Sequence, residues 1–205
     1  MLIVKESGQA KVRDRYRSYV KHLAMALVLI AISFWIKGAY IFVKAELGQY
    51  LIARAWQQSL ENTELSKPWF WADTWPLVRL RVPTQGVSLT VLAGDSGQAL
   101  AFAPGHTSGS AQPGAKGVVI ISGHRDTHFR FLQYLQVGDN IILQNWERQH
   151  TVYRVSGMQV VSEDALIEAN NNTRSLVLVT CWPFDSFEPN SAQRFIVHAQ
   201  AIDSY

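Results

Sequence analysis

A single cysteine, Cys181, stands in 205 residues. That scarcity excludes an internal disulfide framework and any zinc or iron–sulfur site built on several thiolates. Charged residues are also sparse, at 17%, while 48% of the chain is apolar, a balance that rules out a disordered chain. The formal charge of +3 is unevenly distributed. Residues 1–44 hold eight Lys/Arg against two Asp/Glu, leaving eleven against fourteen in residues 45–205. The larger part is thus mildly acidic and lacks the clustered basic residues that phosphate recognition needs, so nucleic acid is not expected as a partner.

What is present begins with one long hydrophobic run. Residues 1–22 form a basic segment with Lys5, Lys11, Arg13, Arg15, Arg17 and Lys21, expected on the cytoplasmic side. Residues 23–43 follow, 21 residues interrupted only by Lys37 and Gly38. An α-helix needs about 20 residues to cross the hydrocarbon core, and a lysine near the end of a span can snorkel to the headgroups. The run is longer than a signal-peptide core and lacks a small-x-small cleavage site, so it reads as a signal anchor. The expected placement is single-pass, with the remainder on the extracytoplasmic side. Residues 44–76 are read as a linker helix, with apolar positions at helical spacing in AELGQYLIARAWQQSLEN (45–62), then the lead-in KPWFWADTWP (67–76). Its aromatic cluster suits either a membrane interface or the cap of a barrel's apolar end.

From residue 77 to 205 the pattern changes to short β-like runs punctuated by Gly, Pro, Asn and Asp. Strands are expected near 77–82, 88–92, 117–123, 139–145, 150–162, 174–180 and 194–202. Helices are expected over 128–136, where Phe129, Leu132 and Leu135 recur, and as a short turn near 163–169. Many strands with few helices predict a mainly β domain, closed or nearly closed into a barrel. The loop 104–117 is long for a compact domain, and such loops are often functional.

Three residues carry the chemistry. Cys181 ends the apolar run SLVLVTC, and a strand end brings a side chain to a barrel's rim. A lone thiol outside the cytoplasm suggests use as a nucleophile, although a buried structural cysteine has the same composition. A thiol of ordinary pKa about 8.5 needs an adjacent base or cation to react near neutrality. His124, in GVVIISGHRDTHF, follows another strand-like run and could supply the base. His106, His128, His150 and His198 are its rivals. A zinc site from His106, His124 and His128 matches no ligand spacing, and no cofactor is expected. Arg194 opens the next predicted strand. If 182–193 joins antiparallel neighbours, its guanidinium reaches the rim of the thiol and can hold a developing oxyanion; a surface ion pair with Asp185 or Glu188 is the plainer alternative. Asp126 either orients an imidazole or caps a helix starting near His128.

These features together resemble the sortases, cysteine transpeptidases that process surface proteins. The resemblance rests on Leu178-Val179-Thr180-Cys181, ISGHRDTHFRFL (121–132), PGHTSGSAQPG (104–114), Gly138-Asp139, TCWPFD (180–185) and the PWFWADTWP lead-in, which is similar to the proteobacterial class GN branch. It implies an eight-stranded sortase β-barrel with Cys181 as nucleophile, His124 as general acid and Arg194 as oxyanion or substrate stabiliser. Thr180 and His106 are the expected substrate-binding residues. The implied partners are a protein carrying an LPXTG-like C-terminal sorting signal, an amine acceptor in the cell envelope, and the membrane through the N-terminal helix. Competing readings are a cysteine peptidase that only hydrolyses its target, and an anchored binding module without catalysis. An L,D-transpeptidase is disfavoured, since its His-Gly and Ser-x-Gly-Cys signatures are missing.

Overall fold

A computed structural model of the chain describes residues 4–165, 172–186 and 191–202. It divides into two compact units, Met1–Leu47 and Gly48–Tyr205. The first unit consists of the leading part of helix α1, which runs from Val4 to Asn62. Every described side chain in it from Tyr16 to Leu47 is exposed, including Leu23, Leu27, Ile30, Phe34 and Ile41. The helix is long and apolar enough to cross a membrane. An apolar surface of this kind, unburied on all sides, is what a helix in a hydrocarbon solvent requires.

The second unit is a closed barrel of eight strands: β1 Pro76–Val82, β2 Val87–Ala93, β3 Gly105–His106, β4 Gly117–Ser122, β5 Asn140–Asn145, β6 His150–Ser162, β7 Arg174–Trp182 and β8 Gln193–Ala201. The order around the barrel is β1-β2-β3-β4-β7-β8-β6-β5, with β5 returning to β1. Pairing is parallel between β2 and β3 and between β4 and β7, and antiparallel elsewhere. Alternation along the strands fills the interior: Val78, Leu80 and Val82 from β1 meet Val119, Ile121, Leu176 and Leu178. On β7 the intervening Val177 is buried as well, because it packs with Val118 and Ile196 on the opposite face. That double burial is why the run reads apolar on both faces.

The last turns of α1, from Gly48 onward, bury Ile52, Ala55, Trp56 and Ser59. Ile52 joins Leu92, Ala99 and Ala103 in a satellite core, with Trp69 and Phe102 against it. The aromatic lead-in is therefore divided. Trp69 packs edge-on to Phe102 at a centroid distance of 5.5 Å, whereas Phe70 and Trp71 form their own edge-to-face pair and stay 89% and 69% exposed.

Two expectations change. The segment around 128–136 forms a 3-10 turn over Arg130–Tyr134, not an α-helix. Its apolar residues recur every third position, which is the 3-10 period. The loop 104–117 contains β3, whose two residues are too few to show a sequence period. Gly105 is required there: a Cβ would lie 2.3 Å from the carbonyl oxygen of Gly94. Of the expected turn at 163–169, residues 163–165 are described and carry a turn closed by Ala165 N–H donating to Ser162; the rest lies outside the described residues.

Candidate active site

The site is assembled by three strand ends. In the parallel pair of β4 and β7, Ser122 stands beside Val179. His124 and Cys181 each come two residues further on, so both leave the barrel at the same rim. In the antiparallel pair of β7 and β8, Cys181 lies directly opposite Arg194. Side chains so paired project from one face with Cβ atoms about 5 Å apart. The thiol is partly buried and the imidazole is exposed.

Thr180 and His106 lie deeper. Thr180 is buried, and its hydroxyl donates to the carbonyl of Gly123 at 2.7 Å, which ties β7 to the residue before His124. The amide of Gly123 donates to Val179 at 3.1 Å, adding a second tie at the same level. His106 is buried on β3, with its Nε2 2.9 Å from the Ala111 carbonyl and 3.1 Å from the Ser110 hydroxyl. Its ring braces the turn of the 104–117 loop.

Arg194 is bonded to three neighbours. One Nη2 proton goes to Glu163 Oε2 at 3.0 Å, and Nη1 donates to the Ser191 and Gln193 carbonyls. Its ion-pair partner among the described residues is Glu163 rather than Asp185; Glu188, the other expected partner, lies outside the described residues. The Nε–H has no partner among the described residues.

The residues following His124 hold what the sequence did not disclose. Arg125 is buried, with its side chain only 4% exposed. Its Nε and Nη2 grip Asp126 at 2.8 and 3.1 Å, Nη1 donates to the Pro183 carbonyl at 2.7 Å, and Nη2 to the Ser186 carbonyl at 2.8 Å. Asp126 therefore neither caps a helix nor sits hydrogen-bonded to an imidazole; it is the fork partner of Arg125. That bond holds the Asp126 carboxyl below the usual carboxylate range, with Arg130 and His124 adding smaller pulls. The Asp126 bond likewise secures the Arg125 charge against its burial, and the Asp185 carboxylate adds a smaller pull. His128, a rival for the base, donates its Nε2–H to the Phe102 carbonyl at 3.0 Å, and burial pushes its pKa below 6.5. Among the described residues no group of His, Cys, Asp and Glu is arranged to hold a metal ion.

Beside the thiol lies a groove of about 490 Å³, lined by Gln133, Trp182, Pro183, Phe184, Asp185 and Ser186. Trp182 and Phe195 stack at 5.6 Å, and Phe184 meets both edge-on at 5.6 and 5.2 Å. A half-buried thiol, an imidazole and a guanidinium at one rim, next to an aromatic groove, form an arrangement suited to acyl transfer.

Comparison with known proteins gives the family. A family model described as the sortase domain matches residues 80–202, so the chain belongs to the sortase family. Sortase D of Bacillus subtilis (strain 168) is 30% identical over 125 residues, covering 60% of this chain and 62% of that protein. The match thus spans less than two thirds of that relative. Among solved structures, sortase C1 from Streptococcus agalactiae shares 25% identity and a TM-score of 0.57, covering 63% of this chain and 69% of that one. The Sortase D5 transpeptidase of Clostridium perfringens superimposes with a TM-score of 0.60 at 22% identity, over 77% of this chain and 99% of that chain. Sortase A from Corynebacterium diphtheriae gives 0.59 at 24% identity, covering 66% and 64%. The last two speak to the fold, and the closed eight-stranded barrel is the sortase one.

Proposed function

We propose that the protein is a cysteine transpeptidase that cleaves an LPXTG-like C-terminal sorting signal and passes the acyl group to an amine. The observation that carries this reading is the pairing register that sets Cys181 opposite Arg194 and level with His124. The Cys181 thiol passes its proton to His124 as it attacks the scissile carbonyl, whose electrons move onto oxygen. Arg194, paired opposite Cys181 on β8, is the cation that holds that developing charge. On collapse the C–N bond breaks, His124 protonates the departing amine, and a thioester to Cys181 remains. An incoming amine, deprotonated by His124, attacks the thioester and expels the thiolate, leaving a new amide. Thr180 acts through the backbone it fixes beneath the thiol, and His106 through the loop it braces. No cofactor enters these steps.

The same reading places the protein in a bacterial inner membrane, crossed once by residues 23–43, with residues 1–22 in the cytoplasm and the barrel outside. The unburied apolar helix and the basic residues ahead of it support this. The lead-in favours a class GN assignment.

The reaction is tested by incubating the full chain with a sorting-signal peptide, with and without a primary amine, and resolving products by mass spectrometry. An amide product whose amount rises with amine concentration is expected. Cleavage that gives only the free acid at every amine concentration would make the protein a peptidase, and no cleavage with any peptide would favour a binding module.

A further inference from the structure

The residues on either side of Cys181 and His124 are stitched together. On the near side, the Thr180 hydroxyl holds the Gly123 carbonyl. On the far side, Arg125 reaches across to the Pro183 and Ser186 carbonyls, two and five residues past the thiol. We propose that Arg125 is a positioning residue, a buried clamp that fixes the loop after Cys181 to the segment after His124 and so keeps thiol and imidazole in contact range.

Three features make this more than ordinary packing. The ladder between β4 and β7 stops at Ser122 and Val179. Although β7 stays paired with β8 as far as Trp182, the segment from His124 onward has no further ladder bonds to β7 or to the loop that follows it. Arg125 replaces them with a planar fork, whose donors serve two carbonyls and one carboxylate at once, a geometry lysine cannot reproduce. Asp126 supplies the charge that lets the guanidinium stay buried, and takes the fork edge-on so that the other donors aim at the loop. The loop so held is the wall of the aromatic groove. The Arg125 bonds go to Asp126 and to backbone carbonyls, not to Cys181 or His124, so it acts through the backbone. The titratable and charged groups around the thiol are then His124, Arg125, Asp126, Asp185, Arg194 and Glu163, of which Arg125 alone bridges the two segments among the described residues.

This inference rests on the transpeptidase reading for its consequence, but its test need not. In the full chain in detergent micelles, alkylating Cys181 with iodoacetamide should shift the His124 ring resonance, assigned by its loss in His124→Gln. In Arg125→Gln that shift should fall by more than half, while the melting temperature of the barrel stays within a few degrees. Sorting-peptide turnover should drop about tenfold or more in kcat with KM changed about threefold or less, the pattern of lost alignment rather than lost binding. Arg125→Lys, which keeps the charge and one carbonyl bond, should fall between the two. If Arg125→Gln does not fold, Arg125→Lys carries both readouts. A folded variant with the wild-type His124 response and wild-type kcat would overturn the clamp. A wild-type chain that cleaves no sorting peptide, yet shows the alkylation shift and its loss in Arg125→Gln, would sink the transpeptidase reading and leave the clamp standing.

Discussion

Along β4 and β7 the barrel wall and the barrel rim are made of different material, only a few residues apart. In the wall, Val119, Ile121, Leu176 and Leu178 are almost fully buried and hold the strands through apolar contact. At the rim, on either side of His124 and Cys181, Thr180 bonds to the Gly123 carbonyl and the buried Arg125 bonds to the Pro183 and Ser186 carbonyls. The wall is stable because it is dry and regular. The rim cannot be, because under the proposed function its thiol must be reached by peptides. Order there comes instead from directional bonds, which hold groups in place without closing them off. Substitutions should therefore separate cleanly: rim changes alter chemistry and spare stability, and wall changes do the reverse.

The largest expected effect is at the thiol. Cys181→Ala should abolish sorting-peptide cleavage, and His124→Ala should lower kcat/KM by about 10²–10⁴, while thermal melting of both stays near wild type. A Cys181→Ala protein with wild-type turnover would break the comparison at its first point. In the wall, Leu178→Ala should destabilise the fold by about 2–5 kcal/mol in denaturant titration, with kcat nearly unchanged in the fraction that remains folded. A large loss of kcat in folded Leu178→Ala would show that wall and rim are not separable. Arg194→Lys should lower kcat/KM by about tenfold, because the ammonium cannot keep Glu163 and still face an oxyanion; an unchanged rate would assign Arg194 to its ion pair alone.

The smallest effect is a pH slope. Burial, with a minor push from His124, holds the His128 pKa below 6.5, so the unfolded chain takes up a proton first as the pH falls. The stabilisation is complete above about 6.5 and is lost progressively below it, toward the depressed folded value. His128→Gln should flatten the acid side of the stability curve, leaving the parallel slope from His198, which burial lowers likewise. A curve unchanged between pH 7 and 5 would show that His128 carries no part of it.

Much of this division is visible in the chain itself. Wall strands announce themselves by alternation or continuous apolar runs, and seven of the eight can be located that way. Cys181, His124 and Arg194 stand out because each abuts such a run, and pairing of neighbouring strands then brings their ends together. β3 is invisible since two residues have no period, and its marker, a glycine needed for backbone contact with Gly94, is a spatial fact. Arg125 escapes for a different reason. Between His124 and Asp126 it reads as one more polar residue in a turn, and its partners are carbonyls, which leave no trace in a sequence. The hint was the adjacent Arg-Asp pair itself, in which one charge permits burial of the other. The aromatic lead-in left two readings open, and the structure divides the residues between packing at Trp69 and exposure at Phe70 and Trp71.

The central claim is that the Cys181 thiol takes the acyl group. Mass spectrometry of the full chain, quenched in acid during turnover of a sorting-signal peptide and then digested, tests it directly. The account predicts an adduct equal in mass to the acyl fragment on the peptide containing Cys181, absent from Cys181→Ala and released by hydroxylamine. Turnover that proceeds with no such adduct under any quench, or with the acyl group on another residue, would contradict it.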